Sequence, residues 1–296
     1  DLDVILAALN LGWSDEVLDE EEEYYFDETI LTEAKLNILE RQARVEEYLK
    51  LCLEAGEYKR YILKQIEAGD FEKAKEVAWK TITQAGDALV IAKSLRDAGY
   101  LPDALNLAEK GLTLDGNKYN LGIWLGSIEE TQGQIDKAIK AYQAAFTSLP
   151  SLELYGVLKK LSGANWGNLR SVLMQVLQAS PHMDVLADVY LSEEEWDKAI
   201  GIADKAGEWD YSLIEKVADA VFPFRPDWVI QVSRKQAEGL IAKTQSKYYA
   251  IAASWLAKMK QAYLSSGRKA EWLSYLDELK NNYSRRPALQ AELRRL

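Results

Sequence analysis

One cysteine and one histidine serve all 296 residues. Cys52 has no second thiol to pair with, so no internal disulfide can form, and a reducing, cytoplasmic compartment is expected. A zinc site built from Cys and His is excluded within the chain. A histidine-centred triad would have to recruit His182, which follows Pro181 at an expected helix start, where a surface or capping role is the default. No segment approaches the roughly 18 uncharged apolar residues that a membrane helix needs, so no membrane partner is expected. The first residues, Asp1-Leu2-Asp3, give neither a signal peptide nor an initiator Met, which reads as a processed or excised piece of a longer protein. The phosphate loop G-x-x-x-x-G-K-[ST] is missing, as are G-x-G-x-x-G, G-x-S-x-G and H-E-x-x-H. The chain is therefore read as non-enzymatic, with no cofactor and no metal.

Basic residues are absent from the first 33 positions, which hold twelve acids, among them the run Asp19–Glu23. Consecutive carboxylates lack the spaced ligands and central glycine of a calcium loop, so a solvated acidic segment is expected. The remaining chain carries 35 acids against 36 bases. Such a neutral body lacks the basic surplus of a strong DNA binder. Leu9, Leu11, Trp13, Val17 and Leu18 give the acidic arm an apolar face. It could cap the fold, dock onto a basic partner or mimic nucleic acid.

Proline is also scarce, at six residues, and helix formers dominate. Apolar residues recur at i, i+3, i+4 in three stretches: Phe71 to Ile82, Leu101 to Leu112, and Ile135 to Phe146. A related phrase precedes each stripe and recurs once more: Gly69-Asp-Phe-Glu-Lys-Ala74, Gly99-Tyr-Leu-Pro-Asp-Ala104, Gly133-Gln-Ile-Asp-Lys-Ala138 and Glu194-Glu-Trp-Asp-Lys-Ala199. Glycine ends one helix in a left-handed cap, an apolar residue plugs the turn, and a small alanine lets the paired helices cross closely. The phrases start 30, 34 and 61 residues apart, and about 34 is the period of a tetratricopeptide repeat (TPR). Ordinary helices of a compact bundle could share these alanines and glycines, but the recurrence favours repeats.

The expected fold is all-α, a TPR-like α-solenoid of stacked antiparallel helix hairpins. Units are expected near 55–84, 85–118, 119–152, 153–179 and 180–213, within three regions: an acidic arm or cap (1–34), the repeats (35–222) and a helical capping region (223–296). The 119–152 unit resembles the TPR pattern at Leu125-Gly126, Ala138, Tyr142 (for the usual Phe) and Pro150. It departs from it at Gly122, where the family has Trp, and at Glu129, where it has Tyr. Ser192-x-x-Glu195 and Ser212-x-x-Glu215 read as capping boxes that start helices, and Pro226 as a first helical residue. Long helices are expected near 227–243, 246–265 and 268–282, with a short one after Pro287. Trp79, Trp255 and Cys52 are expected in the core, with Trp166, Trp209 and Trp228 near turns.

Several phrases go beyond a generic repeat. Tyr48-Leu-Lys-Leu-Cys-Leu-Glu-Ala-Gly56, Ala85-Gly-Asp-Ala-Leu89 and Tyr283-Ser-Arg-Arg-Pro-Ala-Leu-Gln290 resemble the C-terminal helical half of bacterial SWIM zinc-finger proteins, over residues 35 to 296. The zinc motif of that family, C-x-C…C-x-H, lies upstream of its helices and is absent here. The resemblance implies a role in nucleic-acid transactions, with nucleic acid as a partner through the missing upstream finger.

The first helix of each TPR hairpin lines the concave side of a stack. Leu89, Lys93 and Arg96 of one unit and Asn120, Ile123, Ser127 and Glu130 of the next are therefore the candidate partner-binding residues. Their mixture of polar and apolar groups suits a peptide or helix of a partner protein. After residue 279, Lys280, Arg285, Arg286, Arg294 and Arg295 face only Glu292. Arg285, Arg286, Arg294 and Arg295 are candidate phosphate contacts. They could equally pair with an acidic arm or complement a helix dipole.

Overall fold

A computed structural model describes residues 28–207 and 210–296. The acidic residues 1–27, with Trp13 and the Asp19–Glu23 run, lie outside the described residues, as does Trp209. Two compact units follow one another in the chain, the first ending at Gly116 and the second spanning Asn117–Leu296. Both are built from helices, and among the described residues the β-type pairing is an isolated bridge between Gln84 and Asp115.

The first unit contains α1 (Glu28–Arg41), α2 (Val45–Glu54), α3 (Tyr58–Glu67), α4 (Phe71–Thr81), α5 (Ala85–Asp97) and α6 (Leu101–Gly111). Helices α3 and α4 form one antiparallel hairpin and α5 and α6 the next, with α3 packed on α5. Thus the first helices of consecutive hairpins stack, as the repeat period requires. Ala74, Ala78, Ala104 and Ala108 are all but fully buried. The two turn plugs also meet, since the rings of Phe71 and Tyr100 lie 4.0 Å apart between centroids.

The second unit opens with the hairpin α7 (Tyr119–Thr131) and α8 (Ile135–Ser148), followed by α9 (Leu152–Ser162) and α10 (Trp166–Ala179). Then come α11 (Met183–Ser192), α12 (Trp196–Ala203), α13 (Tyr211–Val221) and α14 (Pro226–Ala242). It closes with α15 (Tyr249–Ser265), α16 (Lys269–Asn282) and α17 (Pro287–Leu293). Successive helices pair as hairpins, and α9 packs on α11 and α11 on α13 in the same first-on-first pattern. Pro226 is the first residue of α14 and Pro287 of α17, where a missing N–H costs nothing.

The recurrent phrase does what its residues suggest. Gly69, Gly99 and Gly133 take φ of 80°, 91° and 75°. In each case the next residue donates its N–H back across the turn, as Asp70 does to Gln65, Tyr100 to Leu95 and Gln134 to Glu129 at 2.8–2.9 Å. This is the hydrogen-bond pattern of a left-handed helix stop. In the fourth phrase Glu194 occupies the same position at φ 58°, without glycine's freedom.

Three expectations are corrected. Ser192 starts no helix: it is the last residue of α11, and its hydroxyl donates to the Val189 carbonyl at 2.8 Å. The chain is still helical there because the stop comes two residues later, at Glu194. Ser212 lies inside the first turn of α13, behind Asp210 as the capping position. Trp79 is not core but 55% exposed, because one residue beyond Ala78 turns about 100° off the buried Ala74–Ala78 stripe. Trp255 and Cys52 are buried as expected. Helix α1 runs across residue 34, and Pro223 falls between α13 and α14.

Candidate binding surfaces

In the first unit, Leu89, Lys93 and Arg96 stand at i, i+4 and i+7 on α5 and so share one face. Leu89 is half-buried, while Lys93 and Arg96 are exposed. The Arg96 guanidinium reaches Asp97 at 2.7 and 2.9 Å, a surface pair that contributes little to stability.

In the second unit, Asn120, Ile123, Ser127 and Glu130 form a comparable face of α7. Asn120 and Ser127 are exposed, and Ile123 packs partly against the core. The Ser127 hydroxyl donates to the Trp124 carbonyl at 2.9 Å. Glu130 accepts from the Tyr142 hydroxyl at 3.0 Å. Burial, and then the neighbouring Glu130, push the Tyr142 phenol up to about 12. Two of the four residues therefore already hold a polar group in a hydrogen bond within their own hairpin. The α5 set and the α7 set belong to different compact units, and each is a surface in its own right.

The four tail arginines divide. Arg286 donates to the Ile241 carbonyl at 2.8 Å and covers the Tyr283 ring at 4.7 Å. Arg295 pairs with Glu292 at 2.9 Å. Arg285 and Arg294 are exposed.

Two clefts were not foreseen. One, of about 530 Å³ between α4 and α6, has Ala78, Leu95 and Leu107 at its base and Trp79 at its edge. The Lys110 ammonium lies 4.9 Å from the Trp79 ring centroid and donates to the Trp79 carbonyl. Assigning Trp79 to the core hid this cleft. The other, of about 380 Å³, runs along α14 and is lined by Tyr211, Trp228, Lys235 and Lys243 among others. The Trp228 indole N–H donates to Asp204 at 3.0 Å, which fixes that wall.

The most connected polar cluster is structural. Glu193, at the end of α11, accepts from Arg170 of α10 at 2.7 Å and from Lys159 of α9 at 3.1 Å. Arg170 also reaches Glu195 at 3.1 Å. Burial acts to raise the Glu193 carboxyl, but the bonds from Arg170 and Lys159 outweigh it and hold the group below its ordinary range. Among the described residues, no group of three or more His, Cys, Asp or Glu side chains is placed to hold a metal ion. No helix among them is long and apolar enough to cross a membrane.

No family model matches the chain, and no curated protein does. Among solved structures, the chain is similar to the C-terminal part of a TPR repeat-containing protein from Cytophaga hutchinsonii. That likeness covers 81% of this chain and 98% of the other, at 14% identity and a TM-score of 0.28.

Proposed function

We propose that the chain is a non-catalytic interaction scaffold whose helix faces hold a segment of a partner protein. The observation that carries this is that α5, stacked on α3, and α7, paired with α8, each present a face mixing half-buried apolar side chains with exposed polar ones. Leu89 with Lys93, and Ile123 with Asn120, offer the apolar anchor and polar rim that peptide recognition uses. We assign the acidic N-terminal residues ahead of α1, which runs across residue 34, to an arm and 223–296 to a helical cap. The phrases that resemble those of bacterial SWIM zinc-finger proteins support a bacterial, cytoplasmic member of that group carrying its zinc motif upstream.

A photo-crosslinking amino acid placed at Lys93, at Ile123, or at the exposed Lys140 of α8 tests this in cells that express the protein. The same partner should be trapped from Lys93 or Ile123 but not from Lys140. Equal trapping from Lys140, or none from the other two, would remove the scaffold assignment.

A further inference from the structure

We propose that the cleft along α14 binds single-stranded nucleic acid, taking one base between its aromatic walls and the adjoining phosphates on its lysines. This site is independent of the α5 and α7 faces. Its volume of about 380 Å³ falls within the range of about 300–1,000 Å³ typical of small-ligand sites. Tyr211 and Trp228 line it from the starts of α13 and α14, and Ile214, Val232 and Leu240 give it an apolar base.

Among the described residues lining this cleft, two lysines, Lys235 and Lys243, stand against one carboxylate, Asp204. Lys247 follows in the Ser246–Tyr248 turn, 4.9 Å from the Tyr248 ring centroid. The Lys243 ammonium lies 5.3 Å from the Tyr248 ring and 5.9 Å from that of Tyr211. Asp204, part of the lining, accepts from the Trp228 indole, and Asp210 accepts from the Gly207 N–H at 3.1 Å, so both are held in place while keeping their charge. Glu238, on α14 itself, holds Arg234 at 2.8 Å. From Gly239 to Ala270 the sequence has no Asp or Glu.

Lysines alone would suit any polyanion. The aromatic walls favour a nucleic acid over an acidic peptide, because a base has a flat π-face to stack while a Glu or Asp side chain has none. They favour a single strand over a duplex, because pairing hides the base faces inside the stack. Alternating stacking platforms and cations are how proteins hold single strands without reading sequence.

The test is fluorescence anisotropy of the whole chain with a labelled 12-mer of deoxythymidine across a salt series. Binding should weaken linearly in log salt, with a slope of about −0.7 per phosphate contact. Lys235→Ala and Lys247→Ala, both at exposed positions, should each weaken binding and flatten that slope. Tyr211→Ala should weaken binding roughly tenfold, whereas Tyr211→Phe, which keeps the ring and loses only the hydroxyl that accepts from Lys243 at 3.2 Å, should not weaken it. Thermal melts followed by circular dichroism check that each variant is folded. Should Tyr211→Ala unfold the chain, Tyr211→Leu, which keeps bulk but loses the ring, takes its place. No binding by the wild type overturns the proposal, as does unchanged binding by the lysine variants. A glutamate 12-mer that competes as well as the oligonucleotide would make the cleft an acidic-peptide site. Equal affinity for a duplex would reduce it to phosphate contact without stacking.

Discussion

Gly122 of α7 lies against Ala141 of α8 so closely that a Cβ added to it would stand 2.4 Å from the Ala141 carbonyl oxygen. The same atom would meet the Ala145 Cβ at 2.8 Å. The closest approach in this hairpin is therefore backbone to backbone, and a side chain at residue 122 has no room. Gly122→Ala should destabilise the second unit by about 3 kcal/mol, the upper end of overpacking costs. In an open helix the same change gains up to about 1 kcal/mol. Gly156 of α9, exposed and with nothing within 4 Å of an added Cβ, provides that contrast. Gly156→Ala should stabilise, and urea unfolding of both variants should give shifts of opposite sign.

Ala138 and Ala104 are fully buried. Ala138→Leu should cost about 1–3 kcal/mol by overpacking, and Ala104→Leu a similar amount. An unchanged urea midpoint for either would mean that the helices at that position do not pack as described.

Glu194 holds a left-handed conformation, φ 58°, that Gly69, Gly99 and Gly133 hold elsewhere. Its side chain is exposed, so glycine would lose little by replacing it. Relief of the Cβ–carbonyl clash amounts to about 1–2 kcal/mol, offset in part by the greater freedom of unfolded glycine. Glu194→Gly should raise stability by roughly 0.5–1 kcal/mol. Gly133→Ala should lower it by about 1 kcal/mol for the mirrored reason. A melting temperature that falls for Glu194→Gly would contradict the local geometry.

The hairpins were legible because their signals are local. Glycine at a left-handed stop, an aromatic plug and a buried alanine all act within one or two turns of chain, so Gly99-Tyr100…Ala104 could be recognised without its neighbours. Trp79 shows where this fails. Helical periodicity places a residue on a face to within about 100°, and Trp79 is one step past the buried Ala78. Ser192 failed for a related reason. The phrase Ser-x-x-Glu is the same whether a helix begins or ends there, and the left-handed residue that decides is Glu194, which sequence preference would not nominate. The α14 cleft was hidden for a third reason. Tyr211, Trp228, Lys235 and Lys243 come from a 33-residue span of two helices, and only the packing of α13 on α14 brings them together.

The Glu193 cluster gives a pH-dependent prediction. The Arg170 and Lys159 bonds outweigh burial, so the folded carboxyl titrates below its ordinary 4.5. A group whose folded value is depressed contributes stability that is complete above the unfolded value and is lost as pH falls through the folded one. The contribution should therefore be full at pH 7, begin to decline as pH approaches about 4.5, and vanish below the folded value. Arg170, about a quarter exposed, supplies most of it, whereas the half-exposed Lys159 adds little. Glu193→Gln keeps the shape but removes the charge. A hydrogen bond to a charged group contributes about 1.5–3 kcal/mol, so the variant should lose roughly 2 kcal/mol at pH 7. The difference from wild type should shrink steadily as pH falls below about 4.5 and Glu193 itself becomes neutral. Urea unfolding of both proteins at several pH values measures that difference directly, since the other titrating groups are common to both. A gap that stays constant down to pH 3 would mean that the carboxylate charge does not hold α9, α10 and α11 together.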